Sequence, residues 1–386
     1  MKTNDINNSE LLWSKNFILI TTISFFTMVG FQMLLPTLPV YAIKLGGTSA
    51  SAGLVIGIFT ISSVIIRPFV GYALDRYGRK LIIMAGLLLF AICVLSYTWA
   101  WSLTVLLLLR FLHGFTWGVT STATNTTATD IIPKSRLGEG MGYYGLAGTL
   151  SMALAPALGL WVLSQYDFST MFLTSFLMCT LAIILSLPIQ YQSPSKDKIT
   201  FRFIETSAVN ATIIILLITM TYGAIVSFIA LYAAERGITN IGSFFTVYAV
   251  FLAITRPFSG KIADKKGFDF VIIPGIILII FAMGCLYIAN QLGIFLLAAA
   301  IYGVGFGMVS PSLQALSVMN APANRRGTAN GTFFTGFDLG IGISSILWGA
   351  VAQVTGYSFM FLYTILPCLL ALFIYKSSAG VKQTSN

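Results

Sequence analysis

The sequence predicts an all-α integral membrane protein, with twelve transmembrane helices in two six-helix halves related by pseudo-two-fold symmetry. Three observations predict it. Hydrophobic residues make up 57% of the 386 residues and charged residues only 9%, where a soluble domain carries about 25% charged residues. Apolar runs of about 20 residues, long enough to cross a bilayer as a helix, follow one another to the C-terminus. The chain also matches itself at an offset that lays Arg67 over Arg256.

Taken in order, the expected spans are 16–38, 50–72, 79–98, 102–125, 139–163, 169–190, 207–232, 240–262, 270–289, 293–318, 328–352 and 357–376. An even number puts both termini on one side. With the N-terminus in the cytoplasm, most of the 22 Lys and Arg residues fall in cytoplasmic loops and only Lys44 and Arg236 in outer ones, as the positive-inside rule requires. The net charge of +10 then follows from orientation and anionic lipid, with no nucleic acid partner. The first fifteen residues are polar and no A-x-A-like site follows the first apolar run, so no removable signal peptide is expected. Cys93, Cys179, Cys285 and Cys368 all lie in apolar spans, which predicts neither a disulfide nor a metal site.

The self-match is ungapped. RPFVGYALDRYG (67–78) lies over RPFSGKIADKKG (256–267), and the register continues through Gly86 and Gly275, Gly114 and Gly303, Gly138 and Gly327, and Cys179 and Cys368. Two repeats that both start in the cytoplasm are parallel, related by an axis along the membrane normal. The expected organisation is residues 1–190, a cytoplasmic linker 191–206 and residues 207–386.

GYALDRYGRK (71–80) packs four charged side chains into a tight turn between the second and third spans. Basic residues orient such a loop, but acids contribute little to topology, so Asp75 asks for another explanation. A helix N-terminus, with its unpaired N–H groups, would be a fitting partner. The pattern G-x-x-x-D-R-x-G-R-K resembles the signature loop of the major facilitator superfamily, and with the repeat the resemblance covers essentially the whole chain. It implies the major facilitator fold. It also implies a cytoplasmic gate latch made by Gly71, Asp75, Arg76, Gly78, Arg79 and Lys80, with Asp75 docked on the helix start near Gly327 and Thr328 and Arg79 paired with Asp130. The alternative is a loop that only sets topology. The second copy keeps Asp264 but has Phe268 for Arg79 and Met319 for Asp130, which predicts an asymmetric latch.

In the fourth span, Arg110 lies about eight residues, roughly 12 Å, below the outer surface, where a charge costs about 2.5–3.5 kcal/mol. Arg110, Gly114, Ser121 and Asn125 share one helical face, expected to look into a wet interior. R-F-L-H-G-F-T-W-G is similar to the fourth-helix motif of the family, whose arginine is associated with proton coupling. His113, the only histidine, is either a proton carrier or a static hydrogen-bonding group. The fifth span partly matches the antiporter motif of family exporters, with Gly142, Pro156 and Gly159 in place and Ser151, Ala155 and Leu160 departing from it; small residues there also serve plain helix packing.

Asp338, near the middle of the eleventh span, is the first choice for a reversible proton site, with a structural ion pair to Arg110 as the alternative. Many drug exporters of the family carry an acid in the first helix, where this chain has Gln32. Gln32, Trp117, Asn125, Tyr144, Tyr222, Tyr248, Gln314, Phe334 and Phe337 are expected to line an aromatic cavity for an amphipathic molecule. The sequence contains no G-x-S-x-G, H-E-x-x-H or nucleotide-binding loop, which argues against an enzyme and for an ion gradient as the energy source. The resemblance implies a monomeric, cofactor-free, proton-coupled exporter of small amphipathic molecules in a bacterial cell membrane, both termini cytoplasmic. A dedicated permease or exporter for one metabolite, such as a sugar, an amino-acid derivative or a siderophore, is the competing expectation.

Overall fold

Some of the helices begin where a side chain takes up an N–H group that the first turn leaves unpaired. In the computed structural model, which describes residues 11–47, 49–191, 202–238 and 240–383, Ser14 Oγ accepts from Phe17 N at 3.2 Å and opens α1 (Lys15–Lys44). Helices α2 (Ser49–Tyr77) and α3 (Arg79–Ser96) meet at Gly78, whose φ of 89° a side chain would strain. Ser102 caps α4 (Leu103–Ile131), and α5 (Leu137–Gln165) follows after a short turn. The Asp167 carboxylate accepts from Thr170 N at 2.7 Å to open α6 (Phe168–Ser186); these hydrogen bonds hold its carboxyl below the usual range.

The later helices are α7 (Val209–Glu235), α8 (Gly242–Lys266), α9 (Asp269–Tyr287), α10 (Leu292–Met319), α11 (Arg326–Tyr363) and α12 (Ile365–Gln383). Gly267, 189 residues after Gly78, has the same kind of positive φ, 97°, at the α8–α9 turn. Gly356, with φ 79°, breaks α11 near its end, where the sequence predicts a boundary between two spans. Among the described residues, 10 runs are long and apolar enough to cross a membrane. The expected span 240–262 is not one of them, because Thr, Tyr, Ser and Arg256 dilute the hydropathy of α8, and the last two expected spans fall within the single run Ala323–Ser377. The polar residues 1–10 and most of the expected linker, 192–201, lie outside the described residues.

The chain divides into two compact units. One holds Met1–Pro133, Tyr144–Glu205 and Pro322–Thr332; its core is built on Phe31, Phe59, Phe90, Tyr97, Leu106 and Phe172, all buried. The other holds Lys134–Tyr143, Thr206–Ala321 and Phe333–Asn386, with Tyr232, Tyr302, Phe295 and Phe361 buried. Here Trp348 Nε1 donates to Met220 O at 3.1 Å and Tyr232 OH to Ala289 O at 3.0 Å, so the buried aromatic N–H and O–H groups have acceptors. Leu88, Leu108, Phe258, Phe281 and Phe373 stay exposed on the helices, as suits a chain whose solvent is hydrocarbon.

Candidate functional site: two carboxylate docks and the intramembrane charges

The first unit contains the start of α11, residues 322–332, and Asp75 is docked on it. Asp75 sits in the last turn of α2 at 0% exposure. Its Oδ1 accepts from Gly327 N at 2.9 Å, and its Oδ2 from Thr328 N at 2.8 Å and Thr328 Oγ1 at 2.7 Å. A carboxylate placed against the leading N–H groups of a helix satisfies both partners and meets the positive end of the helix dipole. The fit depends on Gly71: a Cβ there would stand 2.8 Å from Thr328 Cα.

Arg79, at the start of α3, bridges this dock to the end of α4. Its Nη1 donates to Asp75 Oδ1 at 3.2 Å and to Leu74 O at 2.8 Å, and its Nε to Asp130 Oδ2 at 2.8 Å. The chain of charges has one more member, which sequence reasoning missed: Arg326 Nη1 donates to Asp130 Oδ1 at 3.2 Å. The order Asp75, Arg79, Asp130, Arg326 alternates in sign, so each charge taken from water faces an opposite one. A cation in the first turn of a helix opposes the dipole, and that local conflict is the signal that could have pointed to a carboxylate partner for Arg326. Glu205 was missed too; it takes Arg325 Nη1 at 3.3 Å while its own N–H donates to Thr332 Oγ1 at 3.0 Å. Arg76 and Lys80 are exposed, outside this network.

In the second unit Asp264 repeats the arrangement. Its Oδ1 accepts from Gly138 N and its Oδ2 from Glu139 N, both at 2.8 Å. Gly138 and Glu139 are 189 residues before Gly327 and Thr328. Where the first dock has the Thr328 hydroxyl, the second has the Glu139 carboxylate, held by Arg136 Nη2 at 2.7 Å and Lys261 Nζ at 3.5 Å. Burial pushes the Asp264 carboxyl above the usual range; the Gly138 and Glu139 N–H groups act downward and the Glu139 charge adds to the rise. Gly142 lies against the Arg256 carbonyl, leaving no room for a side chain.

The intramembrane charges are less open than expected. Arg110 is 1% exposed; its Nε donates to Val55 O at 2.8 Å, its Nη1 faces His113 Nδ1 at 3.3 Å, and its guanidinium lies 4.2 Å from the Phe59 ring centroid. Arg110, Gly114 and Ser121, on the α4 face expected to look into a wet interior, are in contact with α2. Gly114 and Gly118 admit the backbone of α2, and Arg67 from α2 donates to Ser121 Oγ at 3.1 Å and Thr122 Oγ1 at 3.0 Å. Tyr97 OH lies 2.9 Å from His113 Nδ1.

Of the expected cavity residues, Trp117 stacks on Phe31 at 4.2 Å in the first unit, where Tyr144 and Asn125 are buried and Gln32 half-buried. Pro156 and Gly159 are in α5, with Gly159 packed on Met33. In the second unit, Tyr222 lies 6.1 Å from Tyr248 and 5.6 Å from Phe306, Phe337 continues this run of rings to Phe334, and Gln314 is buried. Asp338 is half-buried on α11, one turn beyond Phe334.

The chain as a whole is similar to known proteins in sequence and in fold. The family model described as Major Facilitator Superfamily matches residues 20–345 and 211–385. An uncharacterized MFS-type transporter of Methanocaldococcus jannaschii is 28% identical over 91% of this chain and 94% of its own length. The multidrug resistance protein MdtG of Escherichia coli is 27% identical over 93% of each chain. Among solved structures, the human organic anion transporter MFSD10 superposes with a TM-score of 0.80 at 15% identity, covering 93% of this chain and 98% of that one. The transporter FucP in its outward conformation gives 0.79 at 17%, covering 93% and 97%. With the family model matched across nearly the whole chain and an all-helical fold to go with it, this multi-pass membrane protein is a transporter of small molecules and not an enzyme, and it belongs to the Major Facilitator Superfamily.

Proposed function

We propose that the chain is a proton-coupled secondary transporter that exports small amphipathic organic molecules. The observation that carries this reading is Asp338, a carboxylate about three turns into α11 and half-buried, in a chain whose relatives include a multidrug resistance protein matched over nearly its full length. A carboxyl within a membrane helix can hold either a charge or a proton, and an acid at such depth is a functional-site candidate by default, which suits it to exchange protons against substrate. Arg110 and His113, 3.3 Å apart and both against Phe59, belong to the same proton-coupling scheme. The chain works by alternating access in the twelve-helix, two-half organisation read from the repeat, as a monomer with both termini cytoplasmic. The Asp75 and Asp264 docks act as cytoplasmic latches that favour one state of that equilibrium.

The test is accumulation of fluorescent amphipathic dyes, anionic, neutral and cationic, in cells overexpressing the protein, with and without a protonophore. Lower accumulation that the protonophore abolishes is expected, together with loss of this effect in Asp338→Asn. Unchanged accumulation of every dye, with the protein verified in the membrane, would contradict the reading.

A further inference from the structure

Three helix ends of the second unit meet around a cavity of about 350 Å³. Arg236 follows the end of α7, Tyr287 and Asn290 stand where α9 gives way to α10, and Ser358 and Phe359 follow the break at Gly356. Arg236, Asn290 and Phe359 are exposed at its mouth. Arg236 Nη2 donates to Ser358 Oγ at 2.9 Å, and the guanidinium lies 5.5 Å from the centroid of the Tyr232 ring. That ring is fixed in turn, its OH 2.9 Å from the same Ser358 Oγ and 3.0 Å from Ala289 O. No carboxylate among the described residues pairs with Arg236. A guanidinium carries five N–H donors, so the bond to Ser358 positions the group and leaves donors for a ligand.

The matching end of the first unit is built differently. There Lys44 Nζ lies 5.0 Å over the Phe168 ring, and an acid, Asp167, immediately precedes that ring in the chain. In the repeat Asp167 is matched by Gly356, so the second unit has no acid at this position. Away from the cavity, α9 and α12 pack side by side. They are tied at the far end by Tyr375 OH, which donates to Asp269 Oδ1 at 2.6 Å. At the cavity the rings of Tyr287 and Phe359 lie 5.4 Å apart. Ile277, Phe281 and Ile288 follow one face of α9, and Leu366, Leu370 and Phe373 one face of α12; all six are exposed.

We propose that this cavity binds the head group of a phospholipid of net negative charge, whose chains run along α9 and α12. Charge complementarity names the occupant: a cation with no acid to pair it stands at the head of two exposed apolar helix faces. The phosphodiester would meet the guanidinium, whose paired N–H donors match such a group. The Asn290 amide, on the cavity wall, offers donors to the remaining head-group oxygens. The acyl chains would cover side chains that already face hydrocarbon. A zwitterionic lipid brings its own cation to the same guanidinium, where like charges repel. The inference stands on membrane insertion and not on proton coupling or export.

The test uses the full chain in detergent, stripped of lipid and titrated with dioleoylphosphatidylglycerol or dioleoylphosphatidylcholine, with the lipids retained on each chain read by native mass spectrometry. The tightest site of wild type should hold the phosphatidylglycerol at least about tenfold more tightly than the phosphatidylcholine, the margin a charge-assisted pair supplies. Arg236→Gln should erase that margin, with the melting temperature measured as the check on folding. Asn290→Asp, at an exposed position, leaves the bond between Arg236 and Ser358 in place and puts a negative charge in the cavity, so it should erase the margin as well. Lys44→Gln, which removes one positive charge at the matching end of the first unit, should leave the margin within about twofold. Glycerophosphoglycerol, the head group without its chains, should fail to displace the lipid at about tenfold excess, because buried chain supplies much of the affinity. A wild type with no preference, a folded Arg236→Gln or Asn290→Asp protein that keeps the margin, a Lys44→Gln protein that loses it, or displacement by glycerophosphoglycerol at that excess would each overturn the proposal.

Discussion

The Asp75 and Asp264 docks present the same two carboxylate oxygens to the same two backbone donors, yet they are embedded differently. Around Asp75 the third donor is a hydroxyl, and an alternating run of Arg79, Asp130 and Arg326 continues from it. Around Asp264 the third position holds Glu139, whose own charge is met by Arg136 and Lys261. A carboxylate on a helix start is thus the shared element, and the neighbouring side chains decide how firmly it is held. The first dock is satisfied on every side, whereas the second places two carboxylates side by side and lets partly exposed cations offset them.

That contrast can be broken by exchanging the residues that make it. The largest effect is expected from Thr328→Glu, which installs the second dock's carboxylate beside the buried Asp75: about 3–5 kcal/mol of destabilisation, read as a fall in melting temperature and a loss of gradient-driven transport. A stability equal to wild type would show that the Thr328 hydroxyl is incidental. Next is Arg326→Leu, which gives the first dock the residue found at the matching position, Leu137. Asp130 keeps Arg79 but loses one partner, so about 1–3 kcal/mol should be lost, and a second substitution Asp130→Asn in that background should cost less than it does alone, as a double-mutant cycle can measure.

The smallest effect, of opposite sign, belongs to Glu139→Thr. It removes the like charge beside Asp264 and supplies a hydroxyl donor, for a gain of about 0.5–1.5 kcal/mol at neutral pH. The pH dependence sharpens this. A carboxyl raised above its unfolded range contributes stability that is fully present below that range and is lost as pH rises through the folded value. The Asp264 contribution therefore falls as pH rises above the ordinary carboxylate range in wild type, and melting temperatures recorded over that rise should fall less in Glu139→Thr. An unchanged slope would mean that Glu139 does not act on Asp264.

Much of the first dock was legible in the sequence, because the loop motif names Asp75 and Arg79 and the family pattern carries Asp130 and the helix start at Gly327. Asp264 was legible as a repeat of Asp75, but its partners were not, since asymmetry in Phe268 and Met319 drew attention away from the backbone donors that any residue type supplies. Arg326 escaped because a basic residue in a polar turn looks like a topology determinant, and Glu205 because it falls in the polar stretch expected to be a linker. Helix faces were legible and their surroundings were not: the period that groups Arg110, Gly114 and Ser121 is the same for a face on water as for a face on α2. The spans also ran short, with α1 continuing to Lys44 beyond the expected 38, because helical hydrogen bonding continues where hydropathy ends.

The central claim is that Asp338 couples substrate movement to protons, and the most direct measurement is proton flux itself. In proteoliposomes loaded with a pH-sensitive dye, addition of a transported substrate should move protons against it through the wild-type protein. Asp338→Asn should bind that substrate and give no proton signal. A signal of wild-type size from Asp338→Asn would contradict the account.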